Sequence, residues 1–376
     1  MSKWQFEKSV NNIYKNCDMD TIDNKLFSRL SLEDTCTNNN LYSGDDIDKN
    51  FRKASVVHKI VRNEIQKKLI HDTKIKDLVE YTENRIISLL GYDRNTYFKQ
   101  KTPSGIAFPV GISINDTIAH NSALLKDERK IEEGDVVKFD FGVHVEGCII
   151  DSAFTHIVGA TEDDPYNELL NASKDATYSA IAMSGPDARL YELSEVIEEI
   201  IKSYEVQVDY GLGTLDIVPV KGIGGHNILP YKIHGGKLIL SVPDEEIQGN
   251  LKMESGEIYA IETYATTGSG IMTQEKDLDL CSHYMVNSEC KSKQFLKKNN
   301  AYKSVVNRNG LPFTLSWCDR SHKKYSKDLA NALTMGDITA YPVLKDSDPN
   351  SHVSQFEHTI RIRDSCVEIY SLGDDY

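Results

Sequence analysis

A chain of 376 residues with 57 acidic and 43 basic side chains carries a formal net charge of −14, so its bulk surface repels phosphate backbones and argues against sequence-independent binding to nucleic acid. With 40% hydrophobic residues it can bury one large core or two smaller ones, yet no window approaches the roughly 20 apolar residues of a spanning helix. The opening Met1 to Val10 lacks the apolar stretch of a secretory signal, and the seven cysteines form no C-x-x-C pair, so reduced thiols, a cytoplasmic location and no membrane partner are expected.

Residues 1–45 are polar and poorly periodic and read as an N-terminal extension, whereas 46–376 reads as one folded domain. Helical periodicity covers about 47 to 70, and again Leu78-Val79-Glu80-Tyr81-Thr82-Glu83-Asn84-Arg85-Ile86. The latter aligns with Leu193-Ser194-Glu195-Val196-Ile197-Glu198-Glu199-Ile200-Ile201, which itself follows a helix-like stretch from 163 to 183. Each copy precedes a strand-rich block, so the expected architecture is α+β in two related halves, with helices outside and a curved antiparallel sheet inside.

The strand-type runs carry the chemistry. Val136 to Gly142 and Cys148 to Phe154 flank Val145-Glu146-Gly147, a turn that closes a hairpin. A midpoint near Val145 and Glu146 makes Asp140 and Asp151 direct cross-strand partners; a slip of one residue pairs Asp140 with Ala153 and keeps Asp151 as a same-face diagonal neighbour. His226 follows the glycine-rich Gly222-Ile223-Gly224-Gly225, Glu262 sits in Ile258 to Tyr264, and Glu357 in Gln355 to Ile360. Residues 275–340 have a mixed helical pattern and interrupt the second half as an insert.

Asp140, Asp151, His226, Glu262 and Glu357 together form the set that two adjacent divalent cations need. Unpaired carboxylates among apolar strand residues are costly to bury, but four ionised carboxylates and two divalent ions form a neutral site. One imidazole among oxygen donors suits manganese, iron, cobalt or zinc without selecting one. Two ions about 3.5 to 4 Å apart can share a water, bring its pKa towards about 7 and hold the carbonyl it attacks, so hydrolysis of an acyl bond is the expected chemistry.

Lys138-Phe139-Asp140-Phe141-Gly142, Ile149-Ile150-Asp151-Ser152-Ala153-Phe154, Gly225-His226-Asn227-Ile228, Tyr259-Ala260-Ile261-Glu262-Thr263, Cys281-Ser282-His283-Tyr284-Met285, Gln355-Phe356-Glu357-His358-Thr359 and the terminal Gly373-Asp374-Asp375-Tyr376 resemble the type 2 methionine aminopeptidases. The resemblance runs from about Asp45 to the end. It implies the pita-bread (creatinase/aminopeptidase) fold with the helical insert typical of type 2 enzymes. It also implies a dinuclear metallo-exopeptidase that removes the initiator methionine from nascent polypeptides when the next residue is small. By the same resemblance Asp151 and Glu357 bridge both ions, Asp140 completes one site, and His226 with Glu262 completes the other. Glu262 would also pass the proton of the attacking water to the leaving amine. His120 would contact the scissile amide, His234 would stabilise the carbonyl oxygen as it becomes anionic, and Phe108, Ile233, His283 and Tyr341 would line the methionine pocket.

Prolidases and proline-specific aminopeptidases share the ligand set, although the insert and the Gly373-Asp374-Asp375-Tyr376 ending favour the methionine enzyme. A ribosome-associated, non-catalytic relative of the fold is the alternative from another class; retention of all five ligands favours chemistry. Gly222 to Gly225 lacks the following Gly-Lys-Ser or Gly-Lys-Thr of a phosphate cradle. Between Cys290 and Asp328 ten Lys or Arg face two Asp or Glu, a basic segment that could dock the enzyme near ribosomal RNA without reading a specific nucleic-acid sequence.

Overall fold

A computed structural model describes residues 44–208, 213–287, 308–321 and 326–374. Nearly all of the N-terminal extension and most of the basic segment from Cys290 to Asp328 lie outside the described residues. No described helix is long and apolar enough to cross a membrane.

The first half opens with helix α1 (Gly44–Gln66), which buries Phe51, Ala54, Val57, Val61 and Ile65 at helical spacing. Helix α2 (Ile75–Leu89) follows with Ile75, Leu78, Val79 and Ile86 inward. Both cover an antiparallel sheet of β1 (Ser104–Ile106), β2 (Gly111–Ile114), β4 (Val136–Val145) and β5 (Cys148–Ile157), in which β1 and β2 pair with one edge of β4 and β5 with the other. Strand β3 (Thr117–Ala119) leaves this sheet to join a small outlying one.

The second half repeats the plan. Helices α3 (Asn167–Met183) and α4 (Leu190–Ile201) bury Leu169, Ala172, Ala176 and Ala180, then Leu190, Leu193, Ile197 and Ile201. The aligned sequence copies are thus α2 and α4, as expected. After a hairpin of β6 (Glu205–Val208) and β7 (Gly213–Asp216) come β8 (Val218–Pro219), β9 (Gly224–Ile228), β10 (Leu238–Leu240) and β11 (Ile258–Thr266). Three peripheral strands, β12 (Met272–Gln274), β13 (His283–Val286) and β14 (Ile338–Tyr341), precede β15 (Leu344–Asp346), β16 (Val353–Ile362) and β17 (Val367–Ile369). The main sheet runs β10-β9-β11-β16-β17, with β8 also on β11, all antiparallel. One apolar core, centred on the first half, also takes in Ile228, Ile258 and Ala260 of the second, and another lies within the second half.

The described part of the insert holds two short α-helices, α5 (Leu315–Ser321) and α6 (Ser326–Thr334), and is framed by β13 and β14, which pair His283 with Tyr341 and Val286 with Ile338. His283 and Tyr284 are buried while Met285 and Val286 are half-buried. Fully buried Glu83 of α2 accepts hydrogen bonds from Trp317 Nε1 (2.6 Å) and Arg320 (2.8 Å), which fastens α5 to the first half.

The two sheets meet where β5 runs beside β16, and side-chain hydroxyls make the join. Ser152 Oγ donates to the Glu357 carbonyl at 2.7 Å, and Thr155 Oγ1 both donates to and accepts from the Gln355 backbone at 2.8 Å. Thr359 Oγ1 does the same with the Asp151 backbone. This seam carries Asp151 and Glu357.

Candidate active site

The β4–β5 hairpin turns at Glu146-Gly147, one position beyond the expected midpoint, so Asp140 faces Ala153 and Asp151 faces Gly142. Both turn residues have positive φ, 51° and 86°, which matches a two-residue type I′ turn; β-branched Val145 would strain that conformation, and glycine at 147 accepts it. The shifted register leaves Asp140 and Asp151 diagonal on one face, so the two carboxylates still converge.

On the other half Glu262 of β11 and Glu357 of β16 are direct cross-strand partners, and His226 of β9 lies opposite Ala260, on the strand flanking Glu262. One ligand atom from each of Asp151, His226 and Glu357 lies within 4.8 Å of the others. His226 Nε2 is 3.7 Å from Asp151 Oδ2 and 3.6 Å from Glu262 Oε1. Gln355 Nε2 donates to Asp140 Oδ2 at 3.3 Å and to Glu262 Oε2 at 3.2 Å, so one amide joins a carboxylate from each half. The five residues singled out in the sequence therefore come together.

The electrostatics of this cluster call for a cation. Burial pushes the Asp140 carboxyl up to about 7, despite the hydrogen bond from Gln355. Burial reinforced by the Asp140 charge pushes Glu262 up to about 8. Asp151 and Glu357 are driven well above the carboxylate range by burial and then by their acidic neighbours. Asp140 Oδ1 and Glu357 Oε2 are buried without a hydrogen-bond donor. Buried oxygens without donors, among four carboxylates and an imidazole that burial keeps neutral, fit divalent cations in charge and donor type.

A cavity of about 280 Å³ opens onto the carboxylates. Phe108, Ile233, His283 and Tyr341 all line it, joined by Met285 and Pro312 from the insert. His120 and His234 border it as well. His120 directly follows β3 with φ of +60°, a left-handed conformation uncommon for a residue with a Cβ, and Ser282 Oγ donates to its carbonyl at 3.2 Å. Its ring stands edge-on to Tyr341, centroids 5.7 Å apart, and burial holds its pKa down at about 4. His234 packs edge-on against His226 at 4.1 Å, and burial lowers its pKa too. Both rings are thus neutral near pH 7.

Residues 49–292 match the model of metallopeptidase family M24. The chain belongs to that family. Methionine aminopeptidase 2 of Podospora anserina is 35% identical over 336 residues, 88% of this chain and 72% of the relative, which puts the chain among the type 2 methionine aminopeptidases. Two solved structures share the fold. A thermophilic Arx1 aligns at TM-score 0.70 with 19% identity, over 88% of this chain and 92% of the other. Methionine aminopeptidase of Thermotoga maritima aligns at TM-score 0.58 with 18% identity, over 89% and 99%. The pita-bread fold expected from the motifs is the one observed.

Three residues at the M24 site carry no weight in the sequence reading: Gln355, Tyr264 and Thr359. Each lies two positions from a carboxylate ligand candidate, Gln355 and Thr359 flanking Glu357 and Tyr264 following Glu262. Period-two spacing puts such neighbours on the ligand's own face of a strand, and that signal alone could have drawn attention to them.

Proposed function

We propose that this chain removes the initiator methionine from nascent polypeptides whose second residue is small, by hydrolysis of the first peptide bond. One observation carries the reading. A cluster of four carboxylates and His226, buried except for half-buried Asp140, opens directly onto an apolar slot walled by Phe108, Ile233, His283 and Tyr341. An unbranched thioether side chain suits such a slot, with aromatic edges against the sulfur.

In this reading Asp140, Asp151, His226, Glu262 and Glu357 hold two divalent ions, of cobalt, manganese, iron or zinc. When bound, such ions acidify the attacking water and polarise the scissile carbonyl. Glu262 takes the water proton and delivers it to the leaving amine. Neutral His120 contacts the scissile amide, while His234 donates to the carbonyl oxygen as negative charge develops there. The slot positions methionine so that its amide, and no later one, meets these groups. The same work places the enzyme in the cytoplasm, where new chains emerge.

The test is hydrolysis of Met-Ala-Ser, Met-Lys-Ser and Ala-Pro-Ser by metal-free protein to which manganese, cobalt, iron or zinc is restored. Cleavage of Met-Ala-Ser alone is expected. Preference for Ala-Pro-Ser would instead favour a prolidase-type activity, and no cleavage with any ion would favour a non-catalytic protein. Docking through the basic Cys290 to Asp328 segment is a further part of the proposal. Reversing the charge of four of its lysines should weaken salt-sensitive cosedimentation with ribosomes, and unchanged cosedimentation would reject it.

A further inference from the structure

Tyr264 and Gln355 stand directly opposite each other on β11 and β16, one pleat beyond the Glu262 and Glu357 pair. Their polar groups turn back to one atom. Tyr264 Oη donates to Glu262 Oε2 at 2.7 Å, and Gln355 Nε2 donates to the same oxygen at 3.2 Å. An ionised carboxylate has about four lone-pair sites, two on each oxygen. Oε2 is therefore filled by protein donors. Only Oε1, 3.6 Å from His226 Nε2, keeps its full capacity for an ion.

The phenol is held in place independently of Glu262. Its ring is buried in a small apolar cluster with Ile118, Ala119, Val220, Leu344 and Val353, drawn from three other strands and a loop, and Ser241 Oγ accepts its backbone N–H at 3.2 Å. A carboxylate that rotates about its last torsion would otherwise present either oxygen, or both, to the cavity. A fixed donor on each lone pair of Oε2 removes that freedom.

We propose that Tyr264 is a positioning residue of the metal centre, whose hydroxyl acts with the Gln355 amide to restrict Glu262 to ligation through Oε1 alone. The proposal rests on the metal-hydrolase reading given above. It assigns no proton transfer to the phenol. It says that the coordination mode of Glu262, and with it the place from which Glu262 acts, is set by a hydroxyl two residues further along the strand.

The experiment compares wild type, Tyr264→Phe and Gln355→Met, each stripped of metal and titrated with cobalt(II). The visible d–d bands report coordination number, and steady-state kinetics on Met-Ala-Ser run in parallel. Tyr264→Phe keeps the ring and its packing, so it should fold, with a melting temperature in chelator a few degrees below that of wild type for the lost hydrogen bond. Its cobalt spectrum should change in shape, cobalt affinity and kcat should each fall about 10- to 100-fold, and KM should stay within about twofold. Gln355→Met, which removes the other donor to Oε2 together with the donor to Asp140 Oδ2, should alter the spectrum in the same direction and keeps the test open if the first variant misfolds. A wild-type cobalt spectrum reproduced by both variants, or kcat unchanged in Tyr264→Phe, overturns the proposal. If wild type itself shows no bound-cobalt bands, the metal-centre reading fails first, so the two failures are distinguishable.

Discussion

Thr359 and Asp151 exchange two hydrogen bonds through a single hydroxyl: Thr359 Oγ1 donates to the Asp151 carbonyl at 2.6 Å and accepts from the Asp151 N–H at 2.7 Å. A side chain of the second half thereby satisfies the backbone of a ligand candidate in the first. Thr359→Val is nearly isosteric and removes both bonds, leaving a buried N–H and a buried carbonyl unpaired. Loss of about 2 kcal/mol or more in unfolding free energy is expected, with metal affinity down about 10- to 100-fold as Asp151 loosens. Thr359→Ser should recover most of both. Urea unfolding and competition with a fluorescent chelator measure the two effects. Wild-type stability and affinity in Thr359→Val would show that the hydroxyl seam does not position Asp151.

Gly142 faces Asp151 across the hairpin, and a Cβ there would stand 2.3 Å from Phe108 Cε1 and 2.8 Å from Ala107 Cβ. Phe108 walls the slot proposed for methionine. In Gly142→Ala the ring must shift, and the cavity is the open side. KM for Met-Ala-Ser should rise about 10- to 100-fold, equivalent to about 1–3 kcal/mol of lost substrate binding, while kcat changes little. A fall in kcat at constant KM would place the disturbance at the carboxylates instead.

Glu357 brings the second half's carboxylate to the seam, and its buried Oε2 has no protein donor to compensate it. Manganese supplied at about 100 times its dissociation constant should therefore stabilise the metal-free protein by about 2.7 kcal/mol, visible as a rise in melting temperature. Glu357→Ala should abolish turnover and most of that rise, with metal content by elemental analysis falling in parallel. Turnover at the wild-type level in this variant would be incompatible with the site described.

The helix pairs and the strands that carry the five candidate ligand residues are legible in the sequence because each rests on a short-range rule. Period 3.6 marks Leu193, Ile197 and Ile201 on α4, and apolar runs interrupted by one acid mark the strands. Between the two registers that the sequence leaves open for β4 against β5, the structure adopts the slipped one, with Asp140 opposite Ala153. The choice depends on which dipeptide tolerates two positive φ angles, and a loop of Val145-Glu146-Gly147 contains two candidate centres. The strand pair within the insert was hidden for a different reason. His283 and Tyr341 meet across more than fifty residues, and no local pattern of either run identifies the partner. Tyr264, Gln355 and Thr359 belong to the same class, since a hydroxyl or amide becomes informative only when the oxygen it meets is known.

Asp346 on β15 gathers the end of β11 and the following loop around one carboxylate. Its oxygens accept from Thr266 Oγ1 (3.0 Å), Ser269 N (3.1 Å), Ser269 Oγ (2.8 Å), Gly270 N (3.1 Å) and Asp348 N (2.9 Å). Burial alone would raise its pKa, but the donors, led by the Asp348 and Ser269 groups, outweigh it and hold the carboxyl below its ordinary range. An acid whose folded pKa is depressed adds stability that is fully present above its unfolded value of about 3.9 and is lost as pH falls through the folded value. Asp346→Asn cannot titrate. It should be less stable than wild type by about 1–3 kcal/mol at pH 7, where donors meet a weaker acceptor, and the difference between the two proteins should shrink as pH drops below about 4. Guanidinium unfolding of both proteins at pH 7, 5 and 3 measures this difference. A gap that stays constant down to pH 3 would mean that the carboxylate charge of Asp346 contributes nothing to holding β11 against β15.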